Sequence, residues 1–282
     1  MRPQSLSEQL MYTTVRIETQ EGVGTGSFFL FSIENKIVPV IITNKHVVNY
    51  NENEVVTFNI HTKNVNSEPD KNVKITYQTK WIFHEKHDLC CCYAQPIFEY
   101  MEKTLDCPAF FIANDEKIIP TKEQLEGLSA VEELIMVGYP IGLSDVRNNL
   151  PIFRRGYTAC HPSIDFNKEE NGLVDMACFP GSSGSPIYVL NEGSYKIKNG
   201  ALCAGDRLIL LGYLYAGPTF NANGTISIEE IPTSQQLNVN TKVMINLGYY
   251  IKASAVYEFK EKIRKELEEK NNLSESSNQV DN

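Results

Sequence analysis

The chain has no apolar run approaching the roughly 20 residues that a bilayer-spanning helix needs. Its first residues, MRPQSLSEQLMYTTV, lack the apolar stretch of a secretion signal. Basic residues are not in excess: 26 Lys and Arg face 35 Asp and Glu, a formal net charge of −9, which argues against a nucleic-acid backbone as partner. Cysteine is present but not as a disulfide framework. There are seven, an odd number, and Cys90, Cys91 and Cys92 are consecutive, so their side chains alternate across a strand rather than pairing. These absences together predict a reduced, cytoplasmic protein with no membrane and no nucleic-acid partner. No internal repeat is visible.

A hydrophobic fraction of 42% and a charged fraction of 22% place the 282 residues among ordinary globular proteins, long enough for one large domain or two small ones sharing an interface. Short runs rich in Val, Ile, Phe, Tyr and Thr dominate. In the first half they fall at Tyr12–Glu18, Ser27–Ile33, Val38–Thr43, Val55–Ile60, Val73–Gln78 and Asp88–Tyr93. A Pro-containing connector follows. The second half has comparable runs at Glu133–Gly138, Ile152–Cys160, Leu173–Cys178, Ser185–Leu190, Arg207–Tyr215 and Gly248–Lys252. This spacing predicts an all-β protein of two small barrels or sandwiches, not βαβ units. The one long helical pattern comes last, where Ala255, Phe259, Ile263 and Leu267 recur every fourth residue among charges. The polar residues after 270 predict a disordered tail.

Three stretches carry candidate chemistry. ITNKHVV places His46 just after an apolar strand. KHDLCCCY places Asp88 at the head of another, where a part-buried carboxylate needs a partner. FPGSSGSPIY holds Ser182, Ser183 and Ser185 among glycines. Taken singly, each has a bland reading: a structural histidine, a strand-initiating aspartate, a tight turn. Taken together they run in the order His46, Asp88, Ser183, with Asp88 42 positions after His46 and Ser183 95 positions after Asp88. Each lies at a strand end. Ser182 and Ser185 remain rival nucleophiles on residue type alone. Gly24 and Gly26 do not signal a nucleotide, because a strand follows them where a helix is required. His84 and His87 with Cys90 and Cys92 have the residue types of a metal site. Cys90 and Cys92 on one strand face read better as small buried hydrophobes, so no metal and no cofactor is expected.

With the motifs T-N-K-H-V, D-L and P-G-S-S-G-S-P in that order, residues 10–260 resemble the trypsin/chymotrypsin-fold serine proteases, and within them the bacterial HtrA-like branch. Gly24-Thr25-Gly26-Ser27 is similar to the family's glycine-rich lead-in to its second strand. The resemblance implies two six-stranded antiparallel β-barrels with a C-terminal helix. A peptidase domain would cover 10–252, divided into a barrel at 10–95, a connector at 96–132 and a barrel at 133–252. A helix at 253–270 and a tail at 271–282 would follow, with no room for a PDZ-like module. It implies Ser183 as nucleophile, His46 as base, Asp88 as the acid that orients it, and the Gly181 and Ser183 amides as oxyanion donors. The primary pocket would be lined by Ala177 and Cys178 on one side and Tyr215, Ala216 and Gly217 on the other. None of these is charged, so an apolar substrate side chain is expected. Ser185 stands where the family usually has glycine. Ser182 stands where zymogen-activated relatives carry an aspartate, so activation by N-terminal processing is not expected. Instead the turn around Gly181, with little side-chain packing of its own, points to control by a protein partner or by substrate. The implied ligand is a protein or peptide. The alternative is a catalytically inactive module that binds peptides in the same cleft.

Overall fold

The computed structural model describes residues 2–140, 145, 147–226 and 237–278. Helix α1 (Leu6–Leu10) begins at a capping box, with Ser5 Oγ accepting from the Glu8 amide and the Glu8 carboxylate accepting from the Ser5 amide. Strands β1 (Thr14–Glu18), β2 (Val23–Ile33), β3 (Lys36–Thr43), β4 (Val55–Lys63), β5 (Pro69–Gln78), β6 (Ile82–Phe83) and β7 (Cys90–Tyr93) follow. Helix α2 (Gln95–Leu105), the short strands β8 (Ala109–Phe110) and β9 (Asn114–Asp115), and helix α3 (Lys122–Gly127) occupy the connector. Strands β8 and β9 join the N-terminal sheet by pairing with β4 and β2, so the connector is partly built into it.

The second half contains β10 (Glu133–Gly138), β11 (Ile152–Thr158), β12 (Asn171–Asp175), β13 (Pro186–Asn191), β14 (Ser194–Lys196), β15 (Leu202–Ala204), β16 (Arg207–Ala216), β17 (Thr219–Ile226), β18 (Leu237–Met244) and β19 (Leu247–Lys252). Six of these close into a barrel in the order β10-β11-β12-β19-β16-β13. Strands β14 and β15, and β17 and β18, form separate two-stranded sheets.

The N-terminal half departs from the expected second closed barrel. Its nine strands form a sheet with the path β5-β4-β1-β2-β3-β7-β6, and β5 and β6 do not pair. The reason is local. Between these strands the Trp81 amide donates to Glu52 O at 2.7 Å, and the Trp81 indole to Glu54 O at 3.4 Å. The chain thus bonds to the segment before β4 instead of completing a ladder. Trp81 is fully buried and joins Val15, Ile17 and Phe58, with Ile97 and Met101 of α2 closing the same apolar cluster.

A second cluster fills the closed barrel, and a third lies between the halves. The third combines Phe29, Phe31 and Cys91 of the sheet with Tyr188, Leu210 and Tyr213 of the barrel. Helix α4 (Tyr257–Asn278) covers it with Phe259 and Ile263, both fully buried, and with Leu267 at its margin; Ala255, the first residue of the stripe read from the sequence, lies in the 3-10 turn Ala253–Val256 that precedes the helix expected from 253. Each fully buried side chain contributes about 1.5–3 kcal/mol by leaving water. α4 also carries 271–278 of the tail expected to be disordered at 271–282; residues 279–282 lie outside the described residues. The Glu, Leu and Asn/Ser residues of 271–278 continue a helix already nucleated against the body, where each added residue needs only one more hydrogen bond. The triple cysteine is explained by this layering: Cys90 and Cys92 face the N-terminal cluster, and Cys91 faces the inter-half cluster under α4.

Candidate active site

His46 lies in a 3-10 turn, Lys45–Val48, immediately after β3. Asp88 precedes β7, which begins at Cys90 rather than at Asp88 as the sequence suggested. Pairing of Thr43 with Cys90 brings the end of β3 beside the start of β7 and so brings the two side chains together. His46 Nδ1 donates to Asp88 Oδ2 at 2.6 Å, and the His46 amide donates to Asp88 Oδ1 at 3.2 Å. This leaves His46 Nε2 as the acceptor nitrogen. The carboxylate's own peptide is held too, since buried Asn44 donates from Nδ2 to Asp88 O at 2.7 Å. Asn44 is a positioning contact that the T-N-K-H-V motif contains but that residue-type reasoning did not single out.

The loop carrying Asp88 is clipped from two further sides. His84 Nδ1 accepts from the Lys86 and His87 amides. His84 Nε2 lies 3.0 Å from Glu258 of α4, whose other oxygen accepts from the Glu85 amide at 2.8 Å. Lys262 Nζ donates to Phe83 O at 2.8 Å. His87 Nε2 reaches Glu170 at 2.8 Å, and that hydrogen bond is the main cause that lowers the Glu170 carboxyl below its usual range. Burial lowers the His84 imidazole, with Glu258 opposing. Both histidines are therefore engaged by carboxylates, while Cys90 and Cys92 point into a core where burial drives their thiols upward. Among the described residues no three His, Cys, Asp or Glu side chains converge as a metal set.

The three serines of the turn are separated by burial. Ser182 and Ser185 are inaccessible, and their hydroxyls have no partner among the described residues. Ser183 is half-buried and lines a cleft of about 300 Å³ together with His46, Gly181, Pro180, Glu21 and Val23. Ser183 and His46 share this cleft, though no hydrogen bond joins them among the described residues. Ser185 is accommodated because it faces Gly138, where a Cβ would sit 2.0 Å from its Oγ.

The turn is anchored through the other half of the molecule. The Thr25 amide donates to Ser183 O at 2.9 Å, and Thr25 Oγ1 donates to Gly181 O at 3.0 Å. The Ser182, Gly184 and Ser185 amides donate to Phe179 O, Leu214 O and Ser182 O. Among the described residues the Gly181 and Ser183 amides have no such acceptor. Gly181 and Gly184 adopt φ of +89° and +84°, and a Cβ on Gly184 would fall 2.0 Å from Thr25 O, so glycine is required there on both counts. The sequence reading held that this turn lacks packing of its own. The structure differs: Ser182 of the turn is fully buried, and the backbone is tied to β2 through Thr25.

The five expected pocket residues divide. Ala177 and Gly217 are half-buried, and Ala216 ends β16 opposite Tyr249. Tyr215 OH accepts from Asn171 at 3.1 Å and lines a second depression of about 330 Å³ with Lys86, His87, Asp88 and Glu169. Cys178 belongs to the barrel core, and its thiol is pushed up to about 12 by burial. Arg154 of β11 lies with its guanidinium 5.1 Å over the ring of Phe179, the residue after Cys178. No spacing rule links these two positions, so only the barrel reveals the contact.

No protein-family model matches the chain, and a search of curated proteins found no match. Among solved structures the chain is similar to the scabies mite inactivated protease paralogue S-I1. The TM-score is 0.45 and the identity 11%, over 91% of this chain and 97% of that one. At that level of likeness the chemistry of the site has to be read from its own residues.

Proposed function

We propose that the chain is a serine endopeptidase of trypsin-like architecture that cleaves peptide bonds through an acyl-enzyme. The observation that carries this reading is the His46 Nδ1–Asp88 Oδ2 hydrogen bond of 2.6 Å, with His46 and Ser183 on one cleft and the other two serines of the turn buried. Asp88 holds the proton on Nδ1, so Nε2 can accept the Ser183 proton as Oγ attacks the substrate carbonyl. The Gly181 and Ser183 amides, which have no acceptor among the described residues, are the donors for the oxyanion. His46 then returns the proton to the leaving amine, and water repeats the sequence to release the acid. The missing Ser183–His46 hydrogen bond is compatible with a substrate-free site, where such bonds are commonly long.

The same missing bond favours one competing reading, an inactive module that binds peptides in the cleft. Labelling with an alkyl fluorophosphonate separates the two. The peptidase reading expects one adduct on Ser183, lost in Ser183→Ala and retained in Ser182→Ala and Ser185→Ala. An unlabelled, well-folded wild-type protein would leave the binding module. Regulation by a protein partner is part of the proposal, and peptide turnover by the purified chain with and without cell extract measures it. Turnover already high and not raised by extract would remove it.

A further inference from the structure

Strand β11 alternates. Phe153, Arg155 and Tyr157 face outward, and Ile152, Arg154, Gly156 and Thr158 face inward. Outward Arg155 has a partner in Glu133. Inward Arg154 has none: among the described residues it makes no ion pair and no hydrogen bond, and its Nε is enclosed without an acceptor. Its one specific contact is the face of Phe179. Asp175 pairs across the ladder with outward-facing Tyr157, is exposed and makes no ion pair with Arg154, so it does not supply the counter-charge. The field of Arg154 is felt at the neighbouring Cys178 thiol, where it opposes the rise caused by burial. Cys178 and Phe179 lie five and four residues before Ser183, on the segment leading into its turn.

A part-buried cation without a counter-ion is unfavourable for folding, because desolvation is not offset. A guanidinium fixed over an aromatic ring still offers its planar donors to a carboxylate in a bidentate arrangement. We propose that Arg154 is the specificity residue of this site and that the missing counter-charge is a substrate carboxylate, so that the chain cleaves peptide bonds following Glu or Asp. This replaces the apolar preference expected from the sequence and rests on the peptidase reading above.

The test uses internally quenched peptides, blocked at both ends and identical except for Glu, Asp, Gln, Leu or Lys before the scissile bond. A second Glu-free set ends in a free carboxylate. Fluorophosphonate labelling runs in parallel, because a small alkyl probe reads Ser183 and His46 without touching Arg154. Wild-type protein should prefer Glu over isosteric Gln by about 10- to 100-fold in kcat/KM, as expected for a hydrogen bond to a charged group. In Arg154→Gln the ratio should fall to near one with the labelling rate within about twofold of wild type, and Arg154→Lys should keep part of the preference. A wild-type preference for Leu or Lys, or a Glu/Gln ratio unmoved in Arg154→Gln, overturns the proposal while leaving the peptidase intact. Cleavage confined to the free-carboxylate set overturns it in favour of chain-end recognition. Failure of wild-type labelling overturns the peptidase reading and the specificity with it. Should Arg154→Gln not fold, the wild-type Glu/Gln ratio and Arg154→Lys decide.

Discussion

In the C-terminal half six strands close on themselves, and the Ser183 turn leaves a barrel whose ladder has no open edge. In the N-terminal half the sheet stays open between β5 and β6, and His46 and Asp88 stand at the ends of two of its strands. The two halves therefore hold their parts of the site differently. The serine turn is fixed by backbone hydrogen bonds, reaching Leu214 within the barrel and Thr25 across the interface. The histidine–aspartate pair depends on parts added to the sheet: Asn44 beneath Asp88, and Glu258 and Lys262 of α4 against the loop before it. An open sheet has one face to be covered, and here the cover also braces the loop that leads to Asp88.

The comparison can be broken first at the acid. Asp88→Asn keeps the shape of the N-terminal part but lets the wrong nitrogen of His46 carry the proton. Turnover should fall by on the order of 10⁴ with little change in thermal midpoint. Near-normal turnover would mean that the base is oriented from elsewhere and that the open half contributes no acid.

The cover is tested next. Phe259→Ala removes a fully buried ring from the cluster between the halves, and denaturant unfolding should show a loss of about 3–5 kcal/mol. Amide exchange sharpens the result: protection should drop around His84–Asp88 before it drops at Gly184 and Ser185, whose amides are held within the barrel. A loss below about 1 kcal/mol, or equal loosening at both places, would show that α4 does not distinguish the halves.

The smallest effect concerns acid sensitivity. His61 of β4 is buried against Tyr12 and Asn149, and burial holds its imidazole below the ordinary value, with the hydrogen bond to Asn149 O opposing. The unfolded chain takes up that proton first. Stability is thus complete above about pH 6.5 and is lost as pH falls from there through the depressed folded value. His84 is lowered in the same direction. His61→Phe keeps a ring beside Tyr12 and should cost about 1 kcal/mol at neutral pH for the lost hydrogen bond. It should also flatten part of the acid slope in denaturant titrations. An unchanged slope would assign the sensitivity to His84 and the α4 contact instead.

The sequence by itself determined the residue types and their order. Alternating short apolar runs made strands, because a period of two leaves one face to bury. Phe259, Ile263 and Leu267 made the apolar stripe of one amphipathic helix, because every fourth residue returns to the same side. His46, Asp88 and the serine turn could be named because each sits at the start or end of an apolar run and because the three motifs, in that order, resemble those of the trypsin-fold proteases. Tertiary structure decided what those local patterns do not contain. Three serines in four positions are alike in composition, and only the packing of Ser182 and Ser185 into the interior leaves Ser183 on the cleft. Whether the first sheet closes depended on where the Trp81 amide found its acceptor, a contact with Glu52 across a 29-residue separation. Arg154 came to lie over Phe179, 25 positions later in the chain, through a barrel register that no local rule encodes. Hydrogen bonds and burial between segments distant in sequence are properties of the closed fold, and they appear only once the strands are paired.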